Sequence, residues 1–150
     1  MNMTKKIITT LTLFLTMVMP SISQTLAGDK IIGVYWVEKD GDKSKVRFTK
    51  TGINSYKAQI IWMEKEKDEK GNIRTDTKNP DKAKRQTPAS KIVLIEKVSF
   101  KNGIWTDGEI YDPTRGKSFT VNIWFDNANT LCVKGSFGPF SEKVYWKKLE

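Results

Sequence analysis

Between Ile31 and Leu149 the chain alternates apolar and polar residues with a period of two, broken at short intervals by turn-forming residues. The clearest segment is Lys117–Phe125. Phe119, Val121, Ile123 and Phe125 fall on one face, and Thr120, Asn122 and Trp124 on the other. A period of two marks a strand with one buried side. Ile104–Tyr111 precedes it, and Asp112-Pro113 begins the turn between them, because proline presets φ for the second turn position and Gly116 can close it. The same reading predicts strands over Ile31–Lys39, Lys43–Lys50, Ser55–Glu64, Ile92–Phe100, Thr130–Phe137 and Ser141–Leu149. Asp40-Gly41-Asp42, Thr51-Gly52-Ile53-Asn54, Lys101-Asn102-Gly103 and Asn127-Ala128-Asn129 supply turns, and Asn-Gly between alternating runs is the strongest short hairpin signal. In Ser55–Glu64 the alternation sets Tyr56, Ala58, Ile60 and Trp62 on one face.

Eight strands joined mostly by short turns should lie antiparallel, each beside its sequence neighbour. A flat sheet of eight leaves two exposed edges, and closure removes both. The pattern therefore predicts an all-β fold, an eight-stranded antiparallel up-and-down barrel, with a two-sheet sandwich as the alternative. One connection breaks the rule. Lys65–Ser90, between strands three and four, has almost no large apolar residue and contains Asn79-Pro80 and Thr87-Pro88. A loop this long in a compact domain is usually functional or mobile. Pro80 suits the start of a short helical turn over Asp81–Arg85.

The first residues follow another pattern. Lys5 and Lys6 precede the apolar run Ile7–Met19, and Pro20 and Ser21-Ile22-Ser23 follow it. This is a secretory leader pattern, with cleavage expected before Gln24 and a second possible site at Thr25-Leu26-Ala27. The run is shorter than the ~20 residues that span a bilayer, so no stable membrane anchor is expected. The reading is a leader over 1–23 and a single barrel domain over 24–150, exported to the periplasm or secreted. Removing Lys5 and Lys6 takes the formal net charge from +9 to +7. A basic surface attracts acidic polymers, anionic lipid or lipopolysaccharide; export makes nucleic acid the least expected partner.

Composition narrows the chemistry. With no histidine, the commonest general base and transition-metal ligand is missing, and the single Cys132 can form no intrachain disulfide. No glycine-rich phosphate loop is present, and no cofactor is implied. Asp107 and Glu109 lie two apart on one predicted strand with Asp112 just beyond, so a weak hydrolase built on these carboxylates is one reading. Asp112 is also placed to fasten its own turn. Trp36, Trp62, Trp105, Trp124 and Trp146 each fall in a different strand. They read as barrel core and closure, or as the wall of a ligand pocket, and their bulk leans toward a filled interior.

Gly33-Val34-Tyr35-Trp36 is similar to the Gly-x-Trp start of lipocalin-like barrels, with one extra residue before the tryptophan. A longer series runs through Val46-Arg47-Phe48, Ile60-Ile61-Trp62, Thr75–Asp81, Arg85, Trp105–Pro113, Gly116-Lys117, Leu131-x-Val133-x-Gly135 and Trp146-x-Lys148. It resembles the domain of unknown function family 2147, small exported bacterial proteins, from about Lys30 to Leu149. The resemblance implies one exported barrel of the lipocalin or calycin type and no established reaction. Thr51–Ala58 lacks the cysteines that family members often carry there, and Lys148 stands where arginine is frequent.

In lipocalins that basic group packs over the first-strand tryptophan, so Trp36, Trp146 and Lys148 are the expected closure residues, with both tryptophans buried. The series also draws Asp76, Asn79 and Arg85 into a polar rim with Tyr111 and Asp112. Either the loop is fixed, with Asp76 and Asn79 bonding backbone amides and Arg85 turned inward by a carboxylate such as Asp112, or Arg85 grips an anionic ligand. Three functions remain: a binding or envelope-accessory barrel for a small amphiphile or an anionic envelope component, a protein-interaction or inhibitor scaffold with a filled interior, and the weak hydrolase.

Overall fold

A computed structural model describes residues 26–150; the leader over 1–23 and the cleavage point before Gln24 lie outside the described residues. Eight strands form one closed barrel in the order β1 to β8. They are β1 Gly33–Lys39, β2 Asp42–Gly52, β3 Ser55–Met63, β4 Val93–Lys101, β5 Ile104–Asp112, β6 Lys117–Asn127, β7 Thr130–Phe137 and β8 Phe140–Lys148. All eight predicted strands are present, and the barrel, not the sandwich, is formed. Asp40-Gly41 and Asn102-Gly103 take positive φ at both residues (52° and 80°, 52° and 85°), the type I′ geometry that suits the twist of a two-residue hairpin.

Closure is brief. Tyr35 pairs with Lys148 and Trp36 with Lys147. Beyond that seam the Val34 amide donates to the Glu150 carbonyl at 2.9 Å and the Leu149 amide to the Val34 carbonyl at 2.7 Å. The two ends of the described chain therefore meet, but the tryptophan expected at the seam is not inside. Gly33, Tyr35, Val37 and Lys39 face inward, and Trp36 lies half-buried on the outer wall. The extra residue after Gly33 is the cause. Residues two apart share a face, so Tyr35 takes the inward position and Trp36 is turned out. Lys148 Nζ sits 5.8 Å from the Tyr35 ring centroid, and it donates to the Lys30 carbonyl at 2.8 Å.

A second displacement occurs in β3. Val46 pairs with Ile60 and Lys45 with Trp62, so Ile61 is an extra residue on β3. This bulge reverses the alternation. Tyr56, Ala58 and Ile60 are buried, whereas Trp62 is turned out and 40% exposed. There it stacks on Trp36, with ring centroids 5.8 Å apart. Only Trp105 and Trp146 of the five tryptophans are buried.

The short turn Ala27–Ile31 crosses one end of the barrel. Gly28 leaves no room for a side chain against Phe100 and Tyr56, and its carbonyl accepts from Trp105 Nε1 at 3.0 Å. Tyr35 donates to the Ile31 carbonyl at 2.8 Å and Tyr56 to Asp29 at 2.7 Å. Burial, with the Asp29 hydrogen bond and charge added, pushes the Tyr56 phenol up to about 12. Burial alone raises Tyr35. No helix among the described residues is long and apolar enough to cross a membrane.

Candidate functional site

The barrel is filled at one end and hollow at the other. Above the Ala27–Ile31 plug, Tyr35, Phe48 and Trp146 form an aromatic floor, with centroids 5.8 and 5.9 Å apart along the series. Beyond it lies a chamber of about 480 Å³ walled by Val37, Ile60, Ile110, Phe119, Val133 and Val144. This volume falls in the range of roughly 300–1,000 Å³ typical of small-molecule pockets. The aromatic content therefore does not fill the interior as the composition suggested, because three tryptophans are spent on the outer wall.

The mouth is formed by the β1–β2, β5–β6 and β7–β8 turns and is framed by Phe137 and Phe140. Its charged lining is balanced, with Lys39, Arg115 and Lys117 against Asp42, Asp112 and Glu142. Asp112 is the organiser. Its Oδ1 accepts from the Thr114 amide at 2.9 Å and the Thr114 hydroxyl at 2.6 Å, which fastens the turn. Its Oδ2 meets Lys39 Nζ at 3.0 Å and Arg115 at 3.1 Å. Burial works against its ionisation, but the Thr114 hydroxyl and the Lys39 ammonium outweigh burial and hold the carboxyl below its usual range. Lys39 is held above its usual value in the same way: burial opposes its charge, and Asp112 and Asp40 overcome it.

The long connection is ordered by polar ties. Asp76 is 3% exposed; its Oδ1 accepts from the Tyr111 hydroxyl and its Oδ2 from the Asn79 side-chain amide, both at 2.7 Å. Burial first, then the Asp76 carboxylate, raises the Tyr111 phenol. Arg74 forms a two-pronged pair with Asp42 at 3.3 and 3.0 Å, and Lys78 Nζ donates to the Thr114 carbonyl at 2.7 Å. The loop thus leans on the mouth from outside, and a groove of about 710 Å³ lies between it and the β4 and β5 wall. The expected short helical turn is present over Lys82–Lys84, capped by the Asp81 carboxylate.

Two of the expected loop contacts differ. Asp76 bonds two side chains, not backbone amides; Asn79 alone accepts from a backbone amide, that of Asp81 at 2.9 Å. Arg85 does not meet Asp112. Its Nε donates to the Asn79 carbonyl at 2.8 Å. The inward-facing Asp112 is already taken by Lys39, Arg115 and Thr114, whereas Arg85 belongs to the loop outside the wall. Asp76, Asn79 and Tyr111 are brought together; Arg85 touches the Asn79 backbone, and Asp112 stands apart on the inner rim.

The three carboxylates considered for hydrolysis do not converge. Asp107 and Glu109 line the outer groove, Asp107 paired with Lys101, while Asp112 lines the chamber. Asp107 takes φ 59° at a bulge between Trp105 and Gly108. Burial raises the Cys132 thiol, which faces away from the chamber beneath Tyr145. No group of three or more carboxylate or cysteine side chains among the described residues is arranged to hold a metal ion. Sequence reasoning missed the chamber walls and Lys39. The inward series of β1, Gly33-Tyr35-Val37-Lys39, carried the signal for Lys39 once its face was known.

The profile of the family described as "Uncharacterized protein conserved in bacteria (DUF2147)" matches residues 34–148. A search of curated proteins found no match. Among solved structures, protein HP1028 of Helicobacter pylori, described as belonging to the lipocalin family, is similar at TM-score 0.64 and 20% identity, over 80% of this chain and 83% of that one. A redesigned β-barrel is similar at TM-score 0.44 and 15% identity, over 83% of this chain and 96% of that one. The first of these likenesses speaks to the lipocalin-like fold alone.

Proposed function

The chain belongs to this bacterial family of uncharacterized proteins, and from that premise we propose that it is a non-catalytic binding barrel that holds a small amphiphile. The observation that carries the reading is the chamber of about 480 Å³, apolar along its walls and closed below by the Tyr35, Phe48 and Trp146 floor. An eight-stranded barrel has room for one small ligand. The tail lies against Ile110, Phe119, Val133 and Val144, and the polar head stays among the charges of the mouth. Those charges cancel, so the apolar wall and not net charge selects the ligand. The leader pattern of Lys5-Lys6, Ile7–Met19 and Ser21–Ser23 supports work outside the cytoplasm, with the envelope as the source of amphiphiles.

Native mass spectrometry of the protein from its own envelope fraction tests both parts. The expected species starts at Gln24 and carries one additional small mass that organic solvent removes. A chain that retains Met1, or one that is always empty and takes up no medium-chain fatty-acid probe, overturns the reading. Val144→Trp should fill the chamber and weaken probe binding by at least roughly tenfold, while costing only about 1–3 kcal/mol of stability as an overpacking change.

A further inference from the structure

We propose that the β7–β8 hairpin is a membrane-docking wedge, which seats the mouth of the barrel on an anionic lipid bilayer. The proposal rests on the amphiphile reading and names where the ligand is exchanged. Three observations carry it. Phe137 is 64% exposed and Phe140 76%, and they face each other across the hairpin end in register. Single exposed apolar residues need no explanation, but two phenylalanine rings paired at a tip form a patch. The tip is also free of charge: Ser136-Phe137-Gly138-Pro139-Phe140-Ser141 contains neither acid nor base.

A cationic collar sits behind the tip. Lys134 and Lys143 pair across the strands three residues below Phe137 and Phe140, and neither makes an ion pair among the described residues. At about 3.4 Å per residue, the collar lies roughly 10 Å behind the rings. Interfacial segments bury their apolar face about 5–10 Å into the headgroup and acyl boundary. A wedge at that depth sets Lys134 and Lys143 at the level of the lipid phosphates, where each cation near an anionic surface strengthens binding about fivefold. The inward carboxylate between them in the register, Glu142, is held by Arg115 at 3.0 Å and is turned away from the collar.

Finally, the wedge is continuous with the chamber. Phe137 and Phe140 frame the chamber mouth, and Phe137 meets the chamber-wall ring of Phe119 edge-on at 6.2 Å. A chain leaving the bilayer along these rings passes from Phe140 to Phe137 to Phe119, where the Arg115 guanidinium lies 5.9 Å from the Phe119 ring centroid and can meet a polar head. A bilayer fits this tip better than a protein partner does, since an uncharged apolar point with a basic collar matches the layered polarity of a lipid interface.

Flotation of the full chain with vesicles tests the proposal. The protein should float with vesicles of phosphatidylethanolamine and phosphatidylglycerol, and less with phosphatidylcholine alone. Phe137→Ser/Phe140→Ser should weaken partition by roughly tenfold or more, with an unchanged melting temperature because both rings are exposed. Lys134→Gln/Lys143→Gln should remove the preference for phosphatidylglycerol and leave binding to phosphatidylcholine. Phe140→Trp should shift its emission to the blue on vesicles and be quenched by bromine in the upper acyl chain. No flotation on either vesicle, undiminished flotation of the double serine variant, or complete release in 0.5 M salt, where the Debye length falls to about 4 Å, each overturns it. Wild-type protein that floats yet takes no fatty-acid probe overturns the carrier reading and supports the wedge alone. Protein that takes the probe but never floats does the reverse.

Discussion

The two ends of the barrel are built from the same strands and solve opposite problems. At the plugged end, Ala27–Ile31 crosses the opening, and its backbone carbonyls and Asp29 are met by Trp105, Tyr35, Tyr56 and Lys148. Trp105, Tyr35 and Tyr56 each fill volume with a ring and pair a backbone or carboxylate oxygen with a polar tip, and no buried side-chain nitrogen or oxygen among the described residues lacks a partner. At the mouth, no described residue crosses the opening. Its charges pair around the rim, Lys39 and Arg115 on Asp112, and Arg74 on Asp42, and leave the apolar wall beneath them uncovered. The difference teaches where stability and function are placed: packing resides at the plug, and the space for a ligand at the mouth.

The strongest way to break this comparison is at Trp105. Trp105→Ala removes a buried ring and leaves the Gly28 carbonyl without its partner, and should cost about 3–5 kcal/mol in urea melts. Trp36→Ala, on the outer wall, should cost only about 1 kcal/mol, the scale of a cross-strand contact. Equal losses would mean that the two indoles share one environment and that the assignment of faces is wrong.

Gly28→Ala sharpens the description of the plug. A Cβ at this position meets Phe100 Cβ at 2.7 Å and the Tyr56 hydroxyl at 2.6 Å. The variant should lose about 1–3 kcal/mol by overpacking. A neutral result in the same melts would show that the plug can lift away from the barrel, and with it the contrast between a closed and an open end.

The smallest effects are in the pH dependence, which separates the ends. Asp112 at the mouth ionises more readily in the folded chain than its ordinary value of 3.8. Its contribution is complete above that value and is lost as pH falls through the lowered one. Tyr56 at the plug is shifted from 10.0 to about 12. Its contribution is complete below pH 10 and is lost as pH rises toward about 12. Asp112→Asn should therefore flatten the acid side of the stability profile by about 1 kcal/mol, and Tyr56→Phe the alkaline side by a similar amount. Urea midpoints measured across pH should show each variant altering one limb; a variant that alters both would couple the two ends.

The sequence by itself determined the number of strands, their order, the turns between them and the one long connection, and it favoured a closed barrel over the two-sheet sandwich that the structure then ruled out. Those features follow from local pattern: a period of two, Asn-Gly and Asp-Gly turns, and short links that leave antiparallel neighbours as the only simple arrangement. It also singled out Asp76, Asn79 and Tyr111, although not the contact among them. What the tertiary structure decided is which face looks inward and how the interior is shared. Alternation groups residues by face but does not say which group is buried. Tyr35 displaced Trp36 because the position two after Gly33 faces inward, and a bulge at Ile61 expelled Trp62. Arg85 lost Asp112 to Lys39 and Arg115 because those cations share its wall of the mouth. The chamber exists for the same reason. Interior volume depends on how many large side chains the register turns inward, and two strand registers, not the aromatic content, turned Trp36 and Trp62 out.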